Sequence, residues 1–132
     1  IESCYIPQVG GFSYMPGQRG AGFARTAAGT CVLFLTGAYD AKQIPKAVEY
    51  LQKNFDSYQH FYYGHYYAVQ AFHIAGGERY RNYLDLIERE LLHMQHEDGS
   101  FPNAIGPGPA YGTATACLIL QMPKEYLPIF QR

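Results

Sequence analysis

A run of tyrosines and histidines in the middle of the chain contains the residues best suited to chemistry. It comprises His60, Tyr62, Tyr63, His65, Tyr66, Tyr67 and His73. On a helix, Tyr62, Tyr66 and either Phe72 or His73 approach one face, and Tyr63 and Tyr67 lie on an adjoining face. Aromatic faces attract cations and hold apolar or ring-shaped ligands. The pattern predicts a cavity lined by Tyr62, Tyr63, Tyr66 and Tyr67, in which His65 or His73 supplies a proton donor.

The same run also has a purely structural interpretation. Aromatic rings commonly fill the space between packed helices while their hydroxyls reach water or backbone. Helices rich in aromatic residues are more often core than site. Packing is therefore the favoured interpretation, and the cavity is its functional alternative.

Other reactive side chains do not form a recognisable site. Cys31 and Cys117 lie in apolar helical runs, which predicts small buried residues rather than nucleophiles. No C-x-x-C pair occurs, and His60 and His65 are spaced poorly for a shared metal ion. We therefore predict no metal site and no cofactor.

A glycine-rich stretch at residues 17–22 lies between two arginines, Arg19 and Arg25. Such a stretch could hold an anion, but it lacks the spacing of a known phosphate loop. A flexible connector is the favoured interpretation.

The composition of the chain argues against nucleic acid and membranes as binding partners. The chain has 132 residues, a net charge of −1, 16% charged residues and 13 tyrosines. No cluster of lysine or arginine is present, so neither nucleic acid nor an anionic membrane surface is predicted as a partner. No apolar run reaches the roughly 20 residues of a membrane span. Unpaired cysteines favour a reducing, cytoplasmic compartment over secretion, which stays open.

Three segments of the chain resemble one another. Gly10-Gly11-Phe12-Ser13 precedes a helical run at 26–35, and Asp98-Gly99-Ser100-Phe101 precedes a similar run at 112–120. Residues 62–77 form a third copy of that run. Aligning Cys31, Gln70 and Cys117 gives a repeat of about 40 to 45 residues, a length typical of helix pairs.

The periodic spacing of apolar residues predicts five helices, at residues 24–35, 45–54, 62–74, 79–95 and 111–121. The first, third and fifth are rich in small residues, and the second and fourth are charged and amphipathic. This alternation predicts one all-α domain over residues 1–132, built of antiparallel helical hairpins in two layers. No strand is predicted. Residues 126–130 are predicted to form an extended strap.

The segment Gln95-His96-Glu97-Asp98-Gly99-Ser100-Phe101 resembles the QW motif of squalene and oxidosqualene cyclases, with Phe in place of Trp. In that family the glutamine caps a helix end and stacks on the aromatic ring. The resemblance gives structural roles to Gln95, Asp98, Gly99 and Phe101. Gly10-Gly11-Phe12 resembles half of a second copy, whereas the middle unit has 56–61 in the corresponding place without the signature.

The resemblance implies a partial (α/α) toroid of the prenyltransferase and squalene-hopene cyclase repeat type, here about three repeats of the roughly six in a full ring. The chain is then a C-terminal fragment of a longer toroid, or it completes its core by self-association. An apolar or isoprenoid ligand would fit such a cavity.

The catalytic motifs of these families are missing from this sequence. It has no D-x-D-D element and no closely spaced Asp and Cys for zinc. We therefore predict a repeat segment without complete catalytic machinery of its own and leave open whether it belongs to an enzyme. The alternatives are part of a terpenoid cyclase-like enzyme that lines an aromatic cavity, and a protein interaction module.

Overall fold

The computed structural model describes residues 1–104 and 106–125, and most of them are helical. The helices are α1 (Phe23–Leu35), α2 (Ile44–Lys53), α3 (Phe61–Ala75), α4 (Gly77–Met94) and α5 (Pro109–Leu120). Each predicted helix is present within two residues of its predicted ends, and the all-α class is confirmed. The predicted strap at 126–130 lies outside the described residues.

A small antiparallel sheet near the N-terminus was not predicted. Strand β1 (Tyr5–Ile6) pairs with β2 (Gly11–Phe12), and Tyr5 lies opposite Phe12. Two-residue strands are too short to show the alternation by which strands are recognised in a sequence. The sheet holds the ring of Phe12 against α1, where a Cβ on Gly29 would lie 3.0 Å from that ring.

The three small-residue helices lie side by side, with α3 in the centre between α1 and α5. Gly64 of α3 lies beside Ala24 near the start of α1, and Gln70 lies beside Cys31 further along both helices. The order of these contacts shows that α1 and α3 run parallel. Helix α5 also runs parallel to α3, because Gly112 near its start is close to Tyr62, and the segment that follows its end brings Glu125 close to His73.

Small residues allow this close approach. A Cβ added at Gly64 would lie 2.8 Å from Cδ1 of Phe23 and 3.3 Å from the Cα of Ala24. A Cβ added at Gly112 would lie 3.1 Å from Cε2 of Tyr62. Glycine is therefore required sterically where α3 meets both of its parallel neighbours.

The amphipathic helices contribute one apolar face each to the core. Helix α2 packs on α1 through Ala47, Val48 and Leu51, and α4 packs on α3 through Tyr83, Ile87 and Leu91. The members of each set recur at three- and four-residue spacing, as the sequence predicts. The charged residues of α4 occupy its other face.

Candidate functional site

The turn after α4 has the compact geometry expected of its sequence. Asp98 Oδ1 accepts hydrogen bonds from the backbone N–H of Ser100 at 2.9 Å and from its hydroxyl at 2.7 Å. These bonds lower the pKa of Asp98. Gly99 has φ +85°, which favours glycine. Asp98 and Gly99 therefore shape this turn.

Gln95 acts differently from the role that the resemblance implies. Its Nε2 donates to the carbonyl of Gly99 at 3.0 Å, and its side chain is exposed. Gln95 thus braces the turn that follows α4 rather than capping the carbonyls at the helix end.

Phe101 anchors this turn in the core. It is 2% exposed, and its backbone N–H donates to Thr113 Oγ1 of α5 at 3.0 Å. Phe12 has the same two features: it is 2% exposed, and its N–H donates to Thr26 Oγ1 of α1 at 2.9 Å. Each of these phenylalanines is therefore tied to a threonine in the first turns of the following helix.

The threonine contacts change the expected alignment of the cysteines. Matching Thr26 with Thr113 places Cys31 opposite Leu118 rather than Cys117. Cys31 is buried, and burial raises the pKa of its thiol to about 11. Cys117 is exposed, so the prediction that it is buried is wrong.

His65 lies in the core of the molecule. It is 0% exposed, and its Nδ1 is 2.6 Å from the hydroxyl oxygen of Tyr83 on α4. The rings of Phe23, Phe55 and Phe61 surround it at centroid distances of 4.7, 4.9 and 4.3 Å. Burial lowers the pKa of His65 to about 3, against an opposing effect of the Phe55 backbone. His65 is therefore neutral at pH 7 and faces no open surface.

Tyr62 also lies between helices. Its hydroxyl donates to the carbonyl of Pro102 at 2.6 Å, and its ring meets that of Tyr111 edge-on at 6.5 Å. Burial raises its pKa. For Tyr62 and His65 the structure agrees with the packing interpretation.

Tyr63, Tyr66 and Tyr67 form a cluster on the open side of α3, hereafter the tyrosine cluster. Tyr63 is 44% exposed, and the other two are half-buried. The ring of Tyr67 lies 4.9 Å from that of Tyr63 and 5.1 Å from that of Tyr66. Burial raises the pKa of Tyr67, and Tyr63, Tyr66, Cys31 and Tyr111 add to the effect. The cluster therefore lies on α3, near Cys31 of α1 and Tyr111 of α5.

His73 lies at the opposite end of α3 from Tyr63. Its ring meets that of Tyr80 edge-on at 5.0 Å, and its Nε2 is 3.7 Å from Glu125 Oε1. Burial and the nearby Glu125 raise the pKa of Tyr80 to about 12. Ten residues of helix separate Tyr63 from His73, about 15 Å along the axis. The six predicted cavity residues therefore divide among the core, the open face and this far end.

Sequence reasoning missed a groove beside the tyrosine cluster. The groove has a volume of about 510 Å³. Its lining consists of Ile1, Cys4, Phe12, Ser13, Tyr14, Ala24, Arg25, Ala28, Gly29, Val32, His60 and Tyr63. The four-residue spacing of Ala24, Ala28 and Val32 could have indicated one open stripe on α1. The N-terminal segment that forms the other wall carries no such signal.

The described part of the chain offers neither a metal-binding cluster nor a membrane-spanning helix. Within residues 1–104 and 106–125, no group of three or more His, Cys, Asp or Glu side chains is placed to hold a metal ion. None of the helices in this part of the chain has the length and apolar character needed to cross a bilayer.

Comparison of the chain with known proteins finds no matching family model, no matching curated protein and no matching solved structure. The resemblance to cyclase repeats therefore remains a prediction from the motif.

Proposed function

We propose that this chain is a repeat segment of a prenyltransferase and squalene-cyclase type toroid, and that α1, α3 and α5 form part of the wall of an apolar ligand cavity. One observation carries the proposal. The three small-residue helices are parallel neighbours, and the tyrosine cluster lies on their open side. An inner layer of parallel helices is what a toroid of stacked hairpins requires.

The anchoring of the loops supports the repeat part of the proposal. Phe12 with Thr26, and Phe101 with Thr113, are equivalent pairs in the first and third units. Phe55 and His65 take the corresponding places in the middle unit, where the two rings lie 4.9 Å apart. In this interpretation His65 replaces the threonine, which accounts for its position in the core rather than in a cavity.

The chemistry of the open face suits holding a ligand rather than converting it. Tyr63 and Tyr67 offer aromatic faces, and Val32 and Leu118 offer aliphatic surface. The raised pKa of Tyr67 keeps its hydroxyl protonated at neutral pH. Such a face fits an apolar ligand and stabilises positive charge through its rings. Any acid or metal that a reaction needs would come from the rest of the toroid.

Binding of an uncharged isoprenoid alcohol, farnesol, tests the proposal. Calorimetric titration of the 132-residue chain should detect binding, and Tyr67→Ala should weaken it about fivefold or more, the loss typical of a well-packed aromatic contact. Tyr58→Ala is the control, because Tyr58 is exposed and hydrogen-bonded to Glu90 away from this face. No binding, or equal losses in both variants, would overturn the proposal.

Exposed apolar residues on the inner helices favour a second candidate, an interaction module. Leu118 is 41% exposed on α5, and Val32 and Leu35 are exposed on α1. An open helical layer with such a surface can associate with a second copy. Light scattering over a range of concentrations should then show a dimer that Leu118→Glu disrupts. Leu92→Glu on α4, where Leu92 is 54% exposed, should leave that dimer intact. A monomer at every concentration would exclude this candidate.

A further inference from the structure

Arg25 in the first turn of α1 has an unusual environment. Its Nε atom is buried and has no hydrogen-bond partner, and its guanidinium forms no ion pair with any residue in the described part of the chain. The guanidinium lies over Gly22, where a Cβ would be 2.7 Å from Nη2 of Arg25. Arg25 as a whole is half-buried, and no carboxylate in the described part of the chain pairs with its charge, which leaves the guanidinium available to a negatively charged ligand.

Arg25 separates two hollows of different character. On one side is the groove of about 510 Å³ described above, whose walls are mainly apolar. On the other is a pocket of about 150 Å³, whose polar lining includes Tyr50, Asn54, Ser57 and Gln59. Arg25 and His60 line both hollows. The two hollows therefore meet at a positive charge.

The charges in the two linings are unbalanced. Arg25 is the one lysine or arginine among the described residues that line either hollow, and no aspartate or glutamate lines them. The groove lies in the size range of small-molecule sites. A ligand that matches all of these features has an apolar body and one negative charge.

We propose that the groove and the pocket form one binding site for an aliphatic monocarboxylate, with the hydrocarbon chain in the groove and the carboxylate on Arg25. A guanidinium matches the planar carboxylate with two parallel hydrogen bonds. Among the described residues, Arg25 is the one lysine or arginine side chain where the two hollows meet, and one guanidinium matches one carboxylate. Asn54, Ser57 and Gln59 add neutral polar partners near the head group.

This inference extends the proposed function, because Tyr63 belongs both to the tyrosine cluster and to the groove. It adds a charged head to the ligand class and places that head at the N-terminal ends of α1 and α3. The apolar cavity of the proposed function needs only apolar surface, whereas the monocarboxylate site also needs Arg25.

Calorimetric titration with decanoate, 1-decanol and acetate tests the inference. Decanoate should bind, and 1-decanol and acetate should each bind at least about tenfold more weakly, because one lacks the charge and the other the chain. Arg25→Gln should weaken decanoate binding by at least about tenfold and leave 1-decanol binding unchanged. Arg81→Gln, at an exposed position of α4, should change neither.

A second variant and a melting curve show whether a loss of binding reflects the site or misfolding of the chain. Ala28→Phe fills the groove and should weaken decanoate and 1-decanol alike. Arg25→Gln should have a melting temperature equal to or above that of the parent chain, because it removes a half-buried charge that no described carboxylate pairs with.

The results of these titrations distinguish the monocarboxylate site from the apolar cavity. Equal binding of decanoate and 1-decanol, or decanoate binding that Arg25→Gln leaves unchanged, would overturn the monocarboxylate site and leave the apolar cavity standing. A lower melting temperature in Arg25→Gln would assign Arg25 to the fold and overturn the site. Failure of both decanoate and 1-decanol to bind would overturn the monocarboxylate site, and failure of farnesol as well would overturn the cavity.

Discussion

The imidazole of His65 and the hydroxyl of Tyr83 share a hydrogen bond of 2.6 Å that joins α3 to α4 inside an aromatic core. Both side chains are buried, and the Tyr83 ring stacks on Phe72 at 4.2 Å. Burial raises the pKa of Tyr83 and lowers that of His65, so both groups are neutral at pH 7. Loss of either partner would leave a buried polar atom unpaired, at a cost of about 1–3 kcal/mol.

Stability should decrease in mild acid because of His65. Burial lowers the pKa of His65 from 6.5 to about 3 in the folded chain. Between these values the unfolded chain binds the additional proton and the folded chain does not. The stabilisation is therefore fully present above pH 6.5 and is lost as the pH falls toward 3, by at most about 1.4 kcal/mol per pH unit. Urea unfolding at a series of pH values measures this slope.

A paired substitution isolates the histidine. The double variant His65→Phe with Tyr83→Phe removes both polar groups and should lose the slope between about pH 6.5 and pH 5, above the range in which carboxylates titrate. His93→Gln, at an exposed position of α4, should keep it. Identical slopes in the parent chain and the double variant would show that His65 does not cause the pH dependence.

The two buried loop phenylalanines should be the costliest residues of their turns. Phe101→Ala and Phe12→Ala should each lower the free energy of unfolding by about 3–5 kcal/mol, because both rings are almost completely buried. Gln95→Ala should cost at most about 1 kcal/mol, because it removes one exposed hydrogen bond. Chemical denaturation gives all three values. A loss at Gln95 as large as that at Phe101 would support the helix-capping role instead.

The threonine anchors can be tested separately from the rings. Thr26→Val and Thr113→Val keep the side-chain shape but leave the N–H of Phe12 or Phe101 without its acceptor. Each should cost about 1–3 kcal/mol of unfolding free energy. Thr36→Val is the control, because the Thr36 hydroxyl donates to the carbonyl of Val32 in an exposed hydrogen bond at the end of α1. Equal small effects at all three positions would contradict the anchoring role.

Gly64→Ala should destabilise the chain, which is the opposite of the usual effect of replacing glycine with alanine in a helix. Replacing a helical glycine with alanine normally stabilises by about 1 kcal/mol. Here the new Cβ would lie 2.8 Å from the Phe23 ring and 3.3 Å from the backbone of Ala24. We therefore expect a lower melting temperature than that of the parent chain. A higher one would mean that α1 and α3 do not approach as closely as described.

Local signals were sufficient to predict the five helices of this fold. Helix α4 followed from the spacing of Tyr83, Ile87 and Leu91. These features depend on a few neighbouring residues, so the sequence records them directly. The hairpin of Tyr5 with Phe12 was missed because two residues per strand give no period.

The candidate site was harder to predict because it depends on which way each helix faces. Tyr62 and Tyr63 are adjacent in sequence, yet one lies in the core and the other is exposed. Which of the two is buried depends on contacts with Pro102, 40 residues away. Arg25 likewise lies between two hollows that form only when distant segments of the chain come together, so the residues next to it in sequence do not reveal its environment.

The cysteines should react at very different rates with a thiol reagent such as dithionitrobenzoate. Cys117 is exposed and should react within the first phase. Cys31 is completely buried, and burial raises its pKa to about 11, so the reactive thiolate is scarce and inaccessible. Cys31 should therefore react only as the chain unfolds. Cys4 is half-buried, so the comparison is made in a Cys4→Ser background, in which Cys117→Ser should remove the fast phase and Cys31→Ser should preserve it. Fast modification of Cys31 in the folded chain would mean that α1 and α3 separate readily, which would weaken the case for a fixed inner layer.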